Sequence, residues 1–161
     1  MSMSVEKRNK LIILILRLFI GWFFFYSGLT KVTTYYTDQP DWSAAQFLSG
    51  QKGIFSDYFQ TLTSNKLIDY LNAYGQLAIG LGVITGTLLR LASFWGIFLM
   101  GMYYMAGYPP KNALLIDTHV LYSGIFILLM SSGAGRYFGV DGLVEKTEIV
   151  KRNRWLLKLL G

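Results

Sequence analysis

Three ionisable residues stand inside stretches that are otherwise apolar: Arg17, Asp117 and His119. Placing such a group in hydrocarbon costs roughly 2.5–3.5 kcal/mol for Arg or Asp at a helix centre, so it points to function. A histidine titrates near neutrality and suits a proton relay. Asp117 and His119, with Lys31 as the cation expected at the same depth, are therefore the candidate catalytic residues, and their chemistry would be proton transfer at a membrane face. Trp42, Tyr104 and Tyr108 belong to that level and Tyr122 shares the face of His119, while Arg17 is a further cation for an anionic substrate or lipid. These five are the candidate binding residues. A quinone needs apolar contact for its ring, hydrogen bonds for its carbonyls and two protons on reduction, and such a set could supply them. Two alternatives stay open: Asp117 as a helix cap beside an interfacial histidine, and Trp and Tyr as an ordinary aromatic belt.

The elements that must position these residues are membrane helices. Hydrophobic residues make up 53% of the 161 and charged ones 15%, too few charges for a water-soluble domain. Four apolar runs, at about 11–30, 72–89, 91–108 and 113–132, are each near the roughly 17–25 residues that cross a bilayer. The expected architecture is an all-α, four-helix transmembrane bundle forming a single integral membrane domain over 1–161. Lys7, Arg8 and Lys10 precede the first run as they would a signal peptide, but the run is too long for one, Arg17 interrupts it, and no small-x-small site follows. The second and third runs meet at Leu89–Arg90–Leu91, which predicts a tight hairpin.

Within the first run, Arg17, Gly21, Phe24, Gly28 and Lys31 fall within about 40° of one stripe at 100° per residue. The glycines admit a close neighbour and turn the charges into the bundle; Gly82 and Gly86 in the second run carry the same small-xxx-small spacing. With about 1.5 Å of rise per residue, Arg17 and Asp117 lie roughly 15 Å apart in depth, so Lys31 is the better partner for Asp117 and Asp141 or lipid phosphate for Arg17. Asp117 and His119 sit about 200° apart around a helix and are not expected to project together.

Two segments lie outside the runs. Residues 32–71 predict an external cap of short helices, with Asp41 as N-cap for Trp42–Leu48 and Phe55, Tyr58, Phe59 and Leu62 at helical spacing. Residues 133–161 form a basic tail, in which 144–160 predicts an amphipathic helix lying on anionic lipid. That tail carries half of the net charge of +6, so nucleic acid is not needed to explain it. Placing the N-terminus, hairpin and tail on one face gives it eleven of the fifteen Lys and Arg, against Lys31, Lys52, Lys66 and Lys111 opposite. The positive face is expected in the cytoplasm, which makes the chain a multi-pass plasma-membrane protein with both termini inside. Absence of Cys and a single His exclude thiolate metal sites, iron–sulfur clusters and a bis-histidine haem within one copy, so neither metal nor haem is expected of this chain alone.

Four stretches resemble the DoxX/DoxD family of membrane proteins: RLFIGWFFFYSGLTKV from Arg17, WSAAQFL from Trp42, GQLAIGLGVITGTLLR from Gly75, and IDTHVLYSGIFILLMSSGAGRYFGVD from Ile116 to Asp141. The resemblance implies a four-helix membrane bundle. For the DoxD branch it implies oxidation of thiosulfate to tetrathionate with electrons passed to quinone, beside a second small subunit, DoxA. For the wider DoxX group it implies a place in larger membrane assemblies. The glycine faces and the lack of redox ligands fit equally the alternative of a non-catalytic accessory subunit of a larger respiratory complex such as a terminal oxidase. A small transporter fits less well, since no span is broken in the transporter manner.

Overall fold

The computed structural model describes residues 3–110 and 114–161. The described residues form helices joined by turns and loops, with no strand. Helix α1 runs Val5–Thr34, α2 Ala45–Ser49, α3 Ser56–Thr61, α4 Lys66–Thr85, α5 Leu89–Ala106, α6 Thr118–Ser132, α7 Asp141–Val144 and α8 Glu148–Arg152, followed by a 3-10 turn at Arg154–Lys158. The four long helices pack side by side, α1 against α4 and α5 against α6, with lighter α4–α5 and α1–α6 contacts. Lys111 of the expected outer charges and Ala113 at the expected start of the fourth run lie outside the described residues.

The expected stripe on α1 is buried at Arg17, Gly21, Phe24 and Gly28. Phe24 is fully enclosed and meets Phe126 edge-on at 5.1 Å between centroids, in a core with Ile20, Ile79, Val83 and Leu129. Gly28 is where α1 and α4 touch: a Cβ there would lie 2.3 Å from the Leu77 backbone nitrogen. The facing glycine on α4 is Gly80, whose Cβ would lie 2.2 Å from Phe25 N. The expected pair Gly82 and Gly86 serves otherwise. Gly82 faces Ala92 on α5, and Gly86 ends α4 at φ +65°, a left-handed C-cap that glycine adopts without strain.

That cap moves the hairpin. The turn is 86–88, not 89–91, and Arg90 lies in the first turn of α5 with its Nε donating to Met130 O at 3.3 Å. Likewise α4 begins at Lys66, six residues before the apolar run, because the Asn65 side chain caps it by accepting from Leu67 N at 3.0 Å. The basic tail is not one amphipathic helix. Asn153 breaks it between α8 and the 3-10 turn, and Val150, Leu160 and Gly161 are buried against the bundle while Trp155 stays exposed.

Two helices, Val5–Thr34 and Lys66–Thr85, are long and apolar enough to cross a membrane, and Thr118–Ser132 is apolar but shorter. The outer surface agrees with that. Phe19 and Trp22 on α1 are 69% and 59% exposed, and Phe94, Trp95 and Phe98 on α5 are exposed too. A soluble monomer rarely shows so much contiguous apolar surface.

Candidate functional site

Arg17 occupies the end of the bundle where α6 finishes. Its guanidinium donates to the carbonyls of Ala134, Tyr137 (3.4 Å) and Phe138 (2.7 Å), the loop after α6. Only Nε lacks a partner among the described residues. The planar fork suits several carbonyls in one loop, which a point charge would not. Asp141, the expected partner, lies in the same knot but accepts from Leu88 N (2.7 Å), Leu89 N (2.9 Å) and Gly161 N (2.8 Å). It thereby caps α5 from across the fold, where Leu88 supplies no side-chain cap. Arg17 is thus committed to backbone at the end of the bundle opposite Lys31.

Lys31 sits further along the same stripe of α1, near its C-terminal end. Its ammonium donates to Asn72 Oδ1 (2.8 Å) and Gln76 Oε1 (2.6 Å) on α4 and lies 4.4 Å from the centroid of the Trp42 ring. Ser27 Oγ also donates to Gln76 Oε1, at 3.0 Å. The amide nitrogens of Asn72 and Gln76 donate to the Tyr103 hydroxyl on α5, at 2.5 and 3.3 Å. Among the described residues no carboxylate pairs with Lys31. The expected Lys31–Asp117 pair is therefore not formed: two carboxamides and an indole face take the cation instead.

Asp117 and His119 form their own pair. Asp117 is the N-cap of α6, accepting from His119 N (2.9 Å) and Val120 N (3.1 Å), and its Oδ2 lies 2.6 Å from His119 Nδ1. The 200° separation fails because Asp117 has extended backbone, φ −114° and ψ −171°, and so lies before the helical geometry begins. The His119 ring stands edge-on to Tyr103 at 5.8 Å between centroids, which joins the pair to the Lys31 cluster.

The remaining candidates divide. Trp42 belongs to the cluster. Tyr104 donates to Leu115 O (2.9 Å) and packs on Tyr108, whose carbonyl accepts from Ile54 N (2.9 Å); the two tie the cap and the α5–α6 connection together. Tyr122 packs on Phe23 and Phe24 within the bundle. Asp41 is not a helix cap: α2 starts after Ala44, whose N–H is held by Asp69 Oδ1 at 2.7 Å. Asn72, Gln76 and Tyr103 were missed from sequence, although Asn72 and Gln76 stand at i and i+4 as the only carboxamides of an apolar helix.

A groove of about 810 Å³ opens between α4 and α5, where the helices separate. Apolar side chains such as Ile79, Leu91, Trp95, Phe98 and Leu99 line it, Phe47, Leu48, Phe59 and Leu62 of the cap roof one part of it, and Thr85 and Thr87 lie at its other end, by the α4–α5 turn. Asn72 and Tyr103 are its polar residues at the end beneath the cap. The face of the cluster away from Lys31 is thus the head of a long apolar trough. From Asn72 to Thr85 it extends about 20 Å along α4.

A family model supplies the context. The DoxX model matches residues 12–108, more than half of the sequence. The chain belongs to the DoxX family. With helices of spanning length, this DoxX-family chain is a membrane protein. The match takes in α1 from Ile12 onward, the cap, α4 and α5, and so the whole of the Lys31 cluster and the groove; the stretch from Ile116 to Asp141 lies beyond it. No curated protein and no solved structure matches the chain. Among the described residues no group of three or more His, Asp or Glu is placed to hold a metal ion.

Proposed function

We propose that this DoxX-family protein is the quinone-binding membrane subunit of a quinone-linked oxidoreductase. The observation that carries the reading is the trough between α4 and α5, apolar along its length and polar at the Asn72–Tyr103 end. An isoprenoid quinone has that polarity: a long apolar chain and a flat ring bearing two carbonyls. The trough faces the lipid in which such a ligand dissolves, so entry requires no passage through water. Phe47 against Tyr103, at 5.4 Å between centroids, offers the ring aromatic contact.

In this reading α1, α4, α5 and α6 all cross the plasma membrane, with the basic end in the cytoplasm and the cap outside. Lys31 supplies positive charge behind the head, favouring the charge a quinone gains on reduction. Asp117 and His119, partly exposed at the outer end, exchange protons with water. Arg17 holds the inner loop in place. Electrons come from a donor on the outer face, for which thiosulfate is the substrate to try first, with a second small subunit of the DoxA kind.

The rival reading is a non-catalytic accessory subunit of a larger respiratory complex, and Arg17 favours it, since this buried cation is spent on holding the loop after α6. One experiment separates the two: thiosulfate-dependent quinone reduction in membranes containing this chain, with Lys31→Ala, Asp117→Asn and His119→Ala. The catalytic reading expects each variant to lose at least about tenfold in rate. Full activity in all three, or activity that follows a haem-bearing partner instead of this chain, refutes it.

A further inference from the structure

We infer that Tyr103 is the residue through which the groove recognises the head of its ligand, and that it recognises only a hydrogen-bond acceptor. The inference rests on the groove holding an amphiphile and goes further by fixing which way the hydrogen bonds run.

The direction follows from Lys31. An ammonium has three donors and no acceptor. Asn72 and Gln76 meet it at 2.8 and 2.6 Å, so each must present its carbonyl oxygen there. A carboxamide that turns its oxygen one way turns its NH2 the other. Both NH2 groups then donate to the Tyr103 hydroxyl. Ser27, donating to Gln76 Oε1, enforces the same sense on that amide.

Tyr103 Oη thereby accepts two hydrogen bonds, which fill its acceptor capacity, and its single O–H proton is left over. Among the described residues that proton finds no acceptor. The phenol is partly buried, and with Asn72 it is the polar part of the outer groove lining. Every bond in the chain from Lys31 thus points toward the trough and ends on one unspent donor. Such a chain polarises along its length and strengthens its last member. A carbonyl oxygen completes it. A quinol completes it less well, because its own hydroxyl proton brings a donor to a site that offers no second acceptor. Carbonyl chemistry has two sources in a membrane: the oxidised ring of a quinone and the ester of a phospholipid.

The test titrates the purified full chain in detergent micelles with decylubiquinone, decylubiquinol and a diester phosphatidylglycerol competitor, read by tryptophan fluorescence, Trp95 lying in the groove. Three variants accompany it. Tyr103→Phe removes one hydroxyl. Lys31→Met releases Asn72 to rotate, Ser27 still holding Gln76, so that Tyr103 can donate inward to Asn72 Oδ1. Gly75→Leu fills the trough one turn from Asn72, where an added Cβ meets nothing within 4 Å. The expected result is tighter binding of quinone than of quinol, a loss of about tenfold in quinone affinity in Tyr103→Phe, the worth of one hydrogen bond, and little change for quinol. Lys31→Met is expected to erase the quinone-over-quinol preference, which a merely structural role would leave alone. Gly75→Leu abolishes both. Phosphatidylglycerol displacing quinone with the same Tyr103 dependence keeps the acceptor rule and assigns the head to a lipid ester. Loss of binding in Gly75→Leu with Tyr103→Phe and Lys31→Met unchanged in affinity and preference overturns the Tyr103 assignment and leaves the groove reading standing. Unaltered binding in Gly75→Leu overturns both.

Discussion

Asp141→Asn replaces one atom, and its effect can be worked through from the structure. The carboxylate is fully buried and takes three backbone N–H donors: Leu88 on Oδ1, and Leu89 and Gly161 on Oδ2. Hydrogen bonds to an ionised acceptor are worth about 1.5–3 kcal/mol net, and neutral ones about 0.5–1.5. The best orientation of the asparagine keeps its oxygen on the two-donor side, so two bonds weaken by about 1 kcal/mol each. Its NH2 then faces Leu88 N–H, leaving a buried donor unpaired at about 1–3 kcal/mol. There is no room to shift away, since an added Cβ on Gly135 would already lie 2.5 Å from Asp141 Oδ2. The sum is a loss of about 4 kcal/mol in stability. Thermal unfolding in one detergent at one scan rate measures it, and hydrogen exchange at Leu88 and Leu89 locates it. A loss under about 1 kcal/mol, with those amides still protected, refutes the view that a distant carboxylate caps α5.

Further outcomes follow from the same geometry. Gly28→Ala is expected to destabilise by about 1–3 kcal/mol by forcing α1 off α4, whereas Gly75→Ala, with open space around its Cβ, is expected to be neutral or stabilising by about 0.5–1 kcal/mol; paired melting curves compare them. Arg17→Lys is expected to lose about 2 kcal/mol, because an ammonium cannot reproduce the fork across Ala134, Tyr137 and Phe138, and equal melting temperatures would contradict that. Single cysteines, convenient in a chain that has none, report topology: Lys52→Cys in the cap is expected to react with an impermeant maleimide on intact cells, and Lys158→Cys only after permeabilisation.

Much of the frame was legible in the sequence because it is written in local patterns. The stripe from Arg17 to Lys31 follows from helical period and small residues alone, and burial of Arg17, Gly21, Phe24 and Gly28 follows it closely. Separation of Arg17 from Asp117 came from counting rise along two helices, and the structure keeps them at opposite ends. Errors arose where one residue leaves the helical rule. Asp117, as a cap, reaches His119 although the wheel sets them apart, and Gly86, as a left-handed C-cap, shifts the hairpin from hydropathy's estimate. The tail misleads for another reason: apolar residues such as Val150 and Leu160 are buried against the Arg17 end of the bundle, a demand that only the assembled fold creates.

The Lys31 cluster was half visible. Charge made Lys31 conspicuous, and Trp42 was placed at its level, but its real partners are neutral and come from two other helices. A search for ion pairs passes over Asn72, Gln76 and Tyr103. Yet a cation in apolar surroundings can be satisfied by carbonyl oxygens alone, which leaves its charge available to a ligand instead of spent on a carboxylate. The groove itself cannot be read from any single run, because it exists only where α4 and α5 separate beneath the cap.

The most direct measurement of the central claim is mass spectrometry of lipids extracted from the chain after gentle detergent purification, beside the same preparation of Gly75→Leu. A quinone-holding trough gives about one quinone for each wild-type chain and none for the variant, with both proteins folded. Equal quinone in the two preparations, or none in either while a haem-bearing partner co-purifies at fixed stoichiometry, would contradict it.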